Sequence, residues 1–192
     1  MGNFIEKICF MKEYILNWKV IGAVSPSSKK LAYKMVENIN FQTAKNIVEY
    51  GPGTGVFTEE LINRKRKGTK LFVIEYNSKF YNILKEKYSN IDDVYIINDS
   101  AENIDTHLNK YGVYKIDYIV SGLPFASLKK STSINILKKS NELLKENGKF
   151  ITFQYTLLKR DFINSFFFKI ETIRVIKNLP PAYVLSCDKL SS

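Results

Sequence analysis

Three glycines at alternate positions follow an acidic residue in the segment Ile47–Gly55, which reads Ile-Val-Glu-Tyr-Gly-Pro-Gly-Thr-Gly. Its β-branched beginning is typical of a strand, and the apolar spacing over 56–65 predicts a helix. A strand, a glycine turn and a helix form the first unit of a doubly wound sheet, where ligands bind over the carboxyl ends of the strands. Glycine lets the backbone approach such a ligand and accepts positive φ. We therefore predict a ligand site at Glu49, Gly51, Gly53 and Gly55.

The glycine spacing argues against a dinucleotide as that ligand. The dinucleotide fingerprint is G-x-G-x-x-G, whereas this turn is G-x-G-x-G, and Pro52 removes one backbone donor that a pyrophosphate would need. Two more acids, Glu75 and Asp99, stand where predicted strands end. A carboxylate at the tip of the second strand can accept both hydroxyls of a ribose. The three sites together predict a nucleoside-containing ligand.

These residues resemble the S-adenosylmethionine-dependent class I methyltransferases. The resemblance rests on the E-x-G-x-G-x-G turn, on Glu75 and on the segment Asn98–Ala101. It implies S-adenosylmethionine as the cofactor, with Glu75 on the ribose hydroxyls and Asp99 on the adenine amine. Ser100 and Ala101 complete the implied cofactor site.

Three further segments resemble a narrower group, the bacterial phospholipid N-methyltransferases. These segments are Gly22–Ser28, Ser121–Pro124 and Asn178–Ala182. Such enzymes methylate phosphatidylethanolamine and are often described as similar to ribosomal RNA adenine dimethyltransferases. The resemblance implies a lipid amine as the substrate.

The segment Ser121–Phe125 follows the predicted fourth strand, where we expect the chemistry. In adenine methyltransferases this position resembles N-x-P-[YF], but here Ser121 stands in place of Asn. The resemblance implies roles in the reaction for Ser121, Pro124 and Phe125. The Phe125 ring could stack on a base, face a cationic ammonium group or pack in the core.

Direct in-line transfer of the methyl group is the mechanism that we expect. The sulfonium is already a strong methyl donor, so the protein mainly aligns the amine with the S–CH₃ bond and excludes water. A protonated amine cannot attack, and burial of the ammonium lowers its pKa. Candidate proton acceptors are Tyr155, Tyr183 or a water molecule.

Alternating strands and helices predict an α/β fold with parallel pairing. The resemblance makes it a Rossmann-like class I methyltransferase, a seven-stranded, mostly parallel sheet with a C-terminal antiparallel pair. Predicted strands are 45–50, 70–75, 94–97, 116–121, 149–155, 170–177 and 182–187. Predicted helices begin at 25–28 and then cover 56–65, 77–88 and 131–146, the last ending at Asn147-Gly148. We expect one domain over residues 20–192, preceded by an amphipathic helix within residues 1–19.

Residues 3–19 show an apolar, aromatic-rich stripe at helical spacing. Such a stripe suits a helix packed on the domain, or an interfacial helix with Trp18 as its anchor in an anionic membrane surface.

The longest uncharged run, Tyr118–Leu128, is well short of the ~20 residues that span a bilayer. Charged residues also interrupt any signal peptide near the N-terminus.

The chain has 29 basic and 19 acidic residues among 192, for a net charge of +10. This charge favours an anionic partner, either an acidic lipid surface or nucleic acid, unless the lysines simply cover solvated faces.

Cys9 and Cys187 suggest free thiols in a reducing cytoplasm. His107 has no Cys or His neighbour in sequence, so we expect no metal site. We predict a cytoplasmic protein that associates peripherally with membrane.

Three functions remain open. The first is methylation of phosphatidylethanolamine-type phospholipids, the second is RNA adenine methylation, and the third is a non-catalytic cofactor-binding module. Nucleic acid is the less favoured partner because the Gln-x-Phe-Leu pattern of the RNA dimethylases is missing. We also expect no helical RNA-binding domain, since the chain ends soon after its last strand.

Overall fold

The computed structural model describes residues 26–176 and 181–189, so the helix predicted over residues 3–19 lies outside them. The described chain forms a seven-stranded sheet in the order β3-β2-β1-β4-β5-β7-β6. Its strands are β1 (Asn46–Tyr50), β2 (Lys70–Ile74), β3 (Val94–Ile97), β4 (Ile116–Ser121), β5 (Leu144–Gln154), β6 (Lys169–Val175) and β7 (Ala182–Asp188). Strands β1 to β5 pair in parallel, and β7 runs antiparallel to both of its neighbours. The predicted Rossmann-like α/β fold is confirmed.

Helices cover both faces of this sheet. They are α1 (Pro26–Val36), α2 (Val56–Arg64), α3 (Ser78–Tyr88), α4 (Ile104–Asn109), α5 (Lys130–Leu143) and α6 (Arg160–Asn164), with a 3₁₀ turn at Ala101–Asn103. Helices α4 and α6 were not predicted from the sequence. Each is one or two turns long, too short for a periodic pattern to stand out. In α4, the buried pair Ile104 and Leu108 carries the only such signal.

The prediction that a helix runs to residue 146 is wrong. Helix α5 ends at Leu143, and Leu144 takes an extended backbone that starts β5. The register between β4 and β5 shifts after Ile116 pairs with Leu144, so residues 145–148 bulge out of the ladder. An ion pair of 2.6 Å between Lys145 and Asp117 supports the bulge. A tertiary contact, not a helix stop at Asn147-Gly148, therefore sets this boundary.

The strands read as apolar runs because both faces of the sheet are buried. Along β1, Val48 and Tyr50 join the core beneath α4, α5 and α6, while Ile47 joins the core beneath α1, α2 and α3. Pairing places Tyr50 beside both Ile74 and Ser121. The loops after β1, β2 and β4 therefore lie side by side at one edge of the sheet, which we call the carboxyl edge.

Candidate active site

The glycine turn after β1 is locked to the loops after its neighbouring strands. Gly51 N–H donates to the carbonyl of Ile74 (3.0 Å), and Gly122 N–H donates to the carbonyl of Tyr50 (2.8 Å). A Cβ at Gly51 would lie 2.8 Å from the Leu123 side chain, and one at Gly122 would lie 2.5 Å from the Gly51 carbonyl oxygen. Glycine is therefore needed at Gly122 for the close approach of two backbones, and at Gly51 for its φ of +59°.

The middle of the turn is open, unlike its two ends. Gly53 has φ +57°, and a Cβ there would meet no atom within 4 Å. Its N–H donates to one carboxylate oxygen of Glu75 (3.1 Å), and Asn77 N–H donates to the other (2.8 Å). Burial raises the Glu75 pKa, and these N–H groups oppose the rise. Each carboxylate oxygen keeps a second lone pair that a ligand hydroxyl could use.

Glu49 is fully buried at the end of β1. Burial raises its pKa to about 8, and the negative charge of Glu75 adds to the rise, while Thr58 opposes it. Neither carboxylate oxygen of Glu49 meets a hydrogen-bond partner at good geometry among the described residues. An unpaired buried carboxyl group is costly, so its presence beside an open turn points to a ligand of positive charge.

Asp99 lies at the carboxyl edge after β3, and its carboxylate already has three partners. One oxygen accepts from Ser100 N–H (2.6 Å) and from the Asn103 amide (3.0 Å), and the other lies 2.8 Å from His107 Nε2. His107 is the largest cause of the lowered Asp99 pKa. The sequence did not reveal this pair because helix α4, which carries His107, was not predicted. Nearby, Ala101 is buried.

The segment Ser121–Phe125 forms the loop after β4. The buried Ser121 hydroxyl accepts from Leu123 N–H (3.3 Å), so it shapes the loop. The half-buried Pro124 offers its carbonyl to the N–H groups of Ser127 and Leu128. Phe125 is only 1% exposed and packs against the Phe150 ring, with centroids 6.1 Å apart. The structure thus places Phe125 in the core, and its contact with substrate stays a prediction.

The two candidate tyrosines lie on opposite faces of the sheet. Tyr155 packs edge-on to Phe153 at 5.5 Å, in the core beneath α1 and α2. Tyr183 pairs with Gln154 of β5 on the other face, and the Arg174 guanidinium lies 5.8 Å from its ring centre. The Gln154 amide nitrogen is buried without a partner among the described residues, a polar feature that the sequence did not reveal.

The described part of the chain contains neither a cluster of metal-binding side chains nor a helix able to span a membrane. Residues 26–176 and 181–189 hold no group of three His, Cys, Asp or Glu side chains that could bind a metal ion. Within the same ranges, none of the helices has the length and apolar character needed to cross a membrane. Cys187 is buried as a free thiol, and Cys9 lies outside the described residues.

Residues 10–165 match the family model for ribosomal RNA adenine dimethylase, which covers most of the 192 residues. The chain belongs to this family. Family and fold make it an S-adenosylmethionine-dependent methyltransferase, with S-adenosylmethionine as its cofactor. The site chemistry fits this cofactor, because two acidic groups border an open turn and the cofactor carries a cationic sulfonium and a cationic amine.

Relatives in this family differ in what their names say they methylate. The ornithine lipid N-methyltransferase of Singulisphaera acidiphila is 27% identical over 180 residues, 93% of each chain. The ribosomal RNA small subunit methyltransferase A of a Hydrogenobaculum species is 28% identical over 127 residues. That match covers 66% of this chain but only 46% of the relative. Membership of the family therefore leaves the substrate open.

Solved structures agree on the fold. The N-methyltransferase NodS from Bradyrhizobium japonicum, in complex with S-adenosyl-L-homocysteine, gives a TM-score of 0.71 at 11% identity, covering 88% of this chain and 90% of that one. A 16S rRNA N2 G1207 methyltransferase from Thermus thermophilus, in complex with AdoMet and guanosine, gives 0.66 at 18% identity. It covers 88% of this chain and 44% of that chain. At such low identities the likeness concerns the fold alone.

Proposed function

We propose that this protein transfers methyl groups from S-adenosylmethionine to the amine of a phosphatidylethanolamine-type lipid at the membrane surface. The observation that carries the proposal is the match over 93% of both chains to a relative named as a lipid N-methyltransferase. The ribosomal RNA relative, in contrast, extends well beyond the part that this chain matches. A match over 93% of both chains supports a shared type of substrate more strongly than a match that covers 46% of a relative.

The carboxyl edge offers separate groups for separate parts of the cofactor. We assign Glu75 to the ribose hydroxyls, because its oxygens lie at the tip of β2 beside the open turn at Gly53. We assign Glu49 to the positive charge of the methionine portion, because its carboxyl group has no other partner of good geometry in the described chain. Asp99, with Ser100 and Ala101, borders the place where the adenine would lie.

The methyl acceptor should approach above the loop after β4. The cofactor supplies an activated methyl group, so the chain's own work is to align the amine and exclude water. The hydrogen bond from Gly122 N–H to the Tyr50 carbonyl ties the loop after β4 to the end of β1. A lipid ammonium must lose a proton before it attacks, and Tyr183, Tyr155 or water could accept it.

Methylation of an RNA adenine is the second candidate. The family match and the resemblance of Ser121–Phe125 to N-x-P-[YF] favour it. Two contacts weigh against it, since the Ser121 hydroxyl is used within its own loop and Phe125 is covered by core residues. The Phe125 ring is therefore not free to stack on a base in this arrangement, and the Ser121 hydroxyl is buried.

Lipid analysis of a bacterium that makes no methylated lipids tests the proposal. Cells that express this chain should accumulate methylated forms of phosphatidylethanolamine, and an amine-bearing ornithine lipid supplied by a second gene would extend the test. Cells that express the Glu75→Ala variant are the matched control and should accumulate far less. Unchanged lipids together with newly methylated adenine in ribosomal RNA would support the second candidate instead.

A further inference from the structure

Large apolar side chains are exposed where β5 and β6 end. In the loop after β5, Leu157 is 41% exposed and Leu158 is 69% exposed. Ile176, directly after β6, is 68% exposed. Exposed apolar side chains of this size at one edge of the sheet are typical of an interaction surface.

These three residues lie at the carboxyl edge, beside the proposed reaction site. Because β7 is antiparallel to both β5 and β6, those two strands run in the same direction and end at the same edge. Strand β5 pairs directly with β4, whose end carries Ser121. The exposed residues therefore border the substrate half of the sheet, away from the cofactor half at β1, β2 and β3.

The loop is held in this exposed arrangement by the short helix α6. Arg160 N–H donates to the carbonyl of Leu157, and Ile163 N–H donates to the carbonyl of Lys159, both at 2.9 Å. Ile163 is fully buried and anchors the turn to the core. The two leucines are thus presented outward on a fixed support.

Positive charge accompanies the apolar side chains. Within the described chain, Lys159 has no acidic partner, and its Nζ lies 5.4 Å from the Phe162 ring centre. Arg174, near the end of β6, is exposed and pairs with no carboxylate among the same residues. An apolar tip flanked by cations matches an interfacial contact with anionic lipid. Exposed leucines would contribute little to nucleic-acid binding, because the phosphate backbone is bound through charge and hydrogen bonds.

We propose that Leu157, Leu158 and Ile176 form a membrane lip that enters the headgroup region of an anionic bilayer. Lys159 and Arg174 then meet lipid phosphates, and a lipid amine beside the lip lies next to the loop after β4. This proposal rests on the proposed lipid substrate and concerns residues other than the stripe at residues 3–19. The lip lets the enzyme reach an amine without removing the lipid from the bilayer.

Cosedimentation with vesicles of phosphatidylethanolamine and phosphatidylglycerol tests the lip. The double variant Leu157→Ser/Leu158→Ser should bind vesicles about tenfold more weakly. The two leucine side chains that would move from water into the bilayer are missing in this variant. Phe168→Ser is the matched control: Phe168 is 70% exposed, but it precedes β6 at the opposite edge of the sheet. This control should bind like the wild type.

Charge variants give a second, independent comparison on the same vesicles. Lys159→Gln should reduce binding a few-fold and weaken its dependence on phosphatidylglycerol. Lys67→Gln is its control, since Lys67 is exposed, forms no ion pair among the described residues and lies before β2 at the opposite edge. If thermal melting shows that the double variant is unfolded, the single variant Leu158→Ser replaces it.

Methyl transfer to short-chain phosphatidylethanolamine, below its micelle concentration, separates this proposal from the proposed function. The lip variant should keep that activity while it loses activity on vesicles. A wild type that binds vesicles through the lip but methylates no lipid would refute the proposed function and leave the lip intact. Vesicle binding by the double variant equal to that of wild type, in folded protein, would overturn the lip.

Discussion

Glu49 carries a buried carboxyl group that strongly favours its protonated form. Its pKa is raised from 4.5 to about 8 by burial, so the unfolded chain ionises first as pH rises. Folding stability from this group is therefore fully present below pH 4.5 and falls as pH rises to about 8, by at most about 5 kcal/mol. The free-energy cost of ionising Glu49 is present in the cofactor-free protein, and a bound cation would reduce it.

The first prediction follows from the cost of ionising Glu49 in the folded protein. Glu49→Gln should raise the melting temperature of the cofactor-free protein above pH 8 and have little effect at pH 4.5, because the amide never ionises. The same variant should bind S-adenosylmethionine more weakly. Thermal melting across this pH range, with and without cofactor, measures both effects, and a stability difference that does not vary with pH would contradict the assignment.

A second prediction at the residue scale concerns Glu75. Glu75→Ala should weaken binding of S-adenosylhomocysteine, since two charge-assisted hydrogen bonds of about 1.5–3 kcal/mol each are lost before water compensates. The carboxylate also holds Gly53 and Asn77, so Glu75→Gln serves as a control that keeps one acceptor oxygen. Calorimetry on folded variants decides the matter, and wild-type affinity in Glu75→Ala would refute the ribose assignment. Asp99→Ala should show a smaller loss.

At the scale of elements, the long buried strands were predictable because they are apolar runs that end in glycine or acid. Their ends agree with the structure to within a residue or two, β5 excepted. The start of β5 was predicted wrongly because it depends on contacts between distant parts of the chain. Lys145 forms an ion pair with Asp117 across the β4–β5 bulge, and no local sequence pattern indicates this pair. Helix α6 is only five residues long, below the length at which periodicity is informative.

The predicted helix over residues 3–19 carries a third prediction. Replacing Phe4, Ile8 and Trp18 with Ser should abolish vesicle cosedimentation if the stripe enters the membrane, since its apolar area would no longer leave water. Cofactor binding and thermal melting should stay nearly intact. Loss of folding in this variant would instead place the stripe in the core.

At the scale of the whole molecule, the positions of the residues proposed for the cofactor could be predicted better than the positions of those proposed for the substrate. Gly53, Glu75 and Asp99 follow strands, so their positions come from the topology. The roles of Phe125 and the two tyrosines depend on which side of the sheet each ring packs, and the sequence did not reveal this. The pairing of His107 with Asp99 also came only from the fold.

In the described part of the chain, basic residues also lie away from the carboxyl edge. Lys45, Arg66, Lys67 and Lys70 line a cleft of about 510 Å³ at the opposite edge, where the strands begin. These cations form no ion pair with a carboxylate in the described chain. Because Lys159 and Arg174 alone should make binding to anionic vesicles weaken with salt, apolar variants and substrate choice are the sharper tests.

The central claim is that a lipid amine accepts the methyl group. The direct measurement offers S-adenosylmethionine labelled in its methyl group to the purified protein, with phosphatidylethanolamine in anionic vesicles and purified small-subunit ribosomal RNA in the same reaction. We predict label in the lipid, suppressed by S-adenosylhomocysteine, and none in the RNA. Strong label in the RNA with none in the lipid would contradict the account.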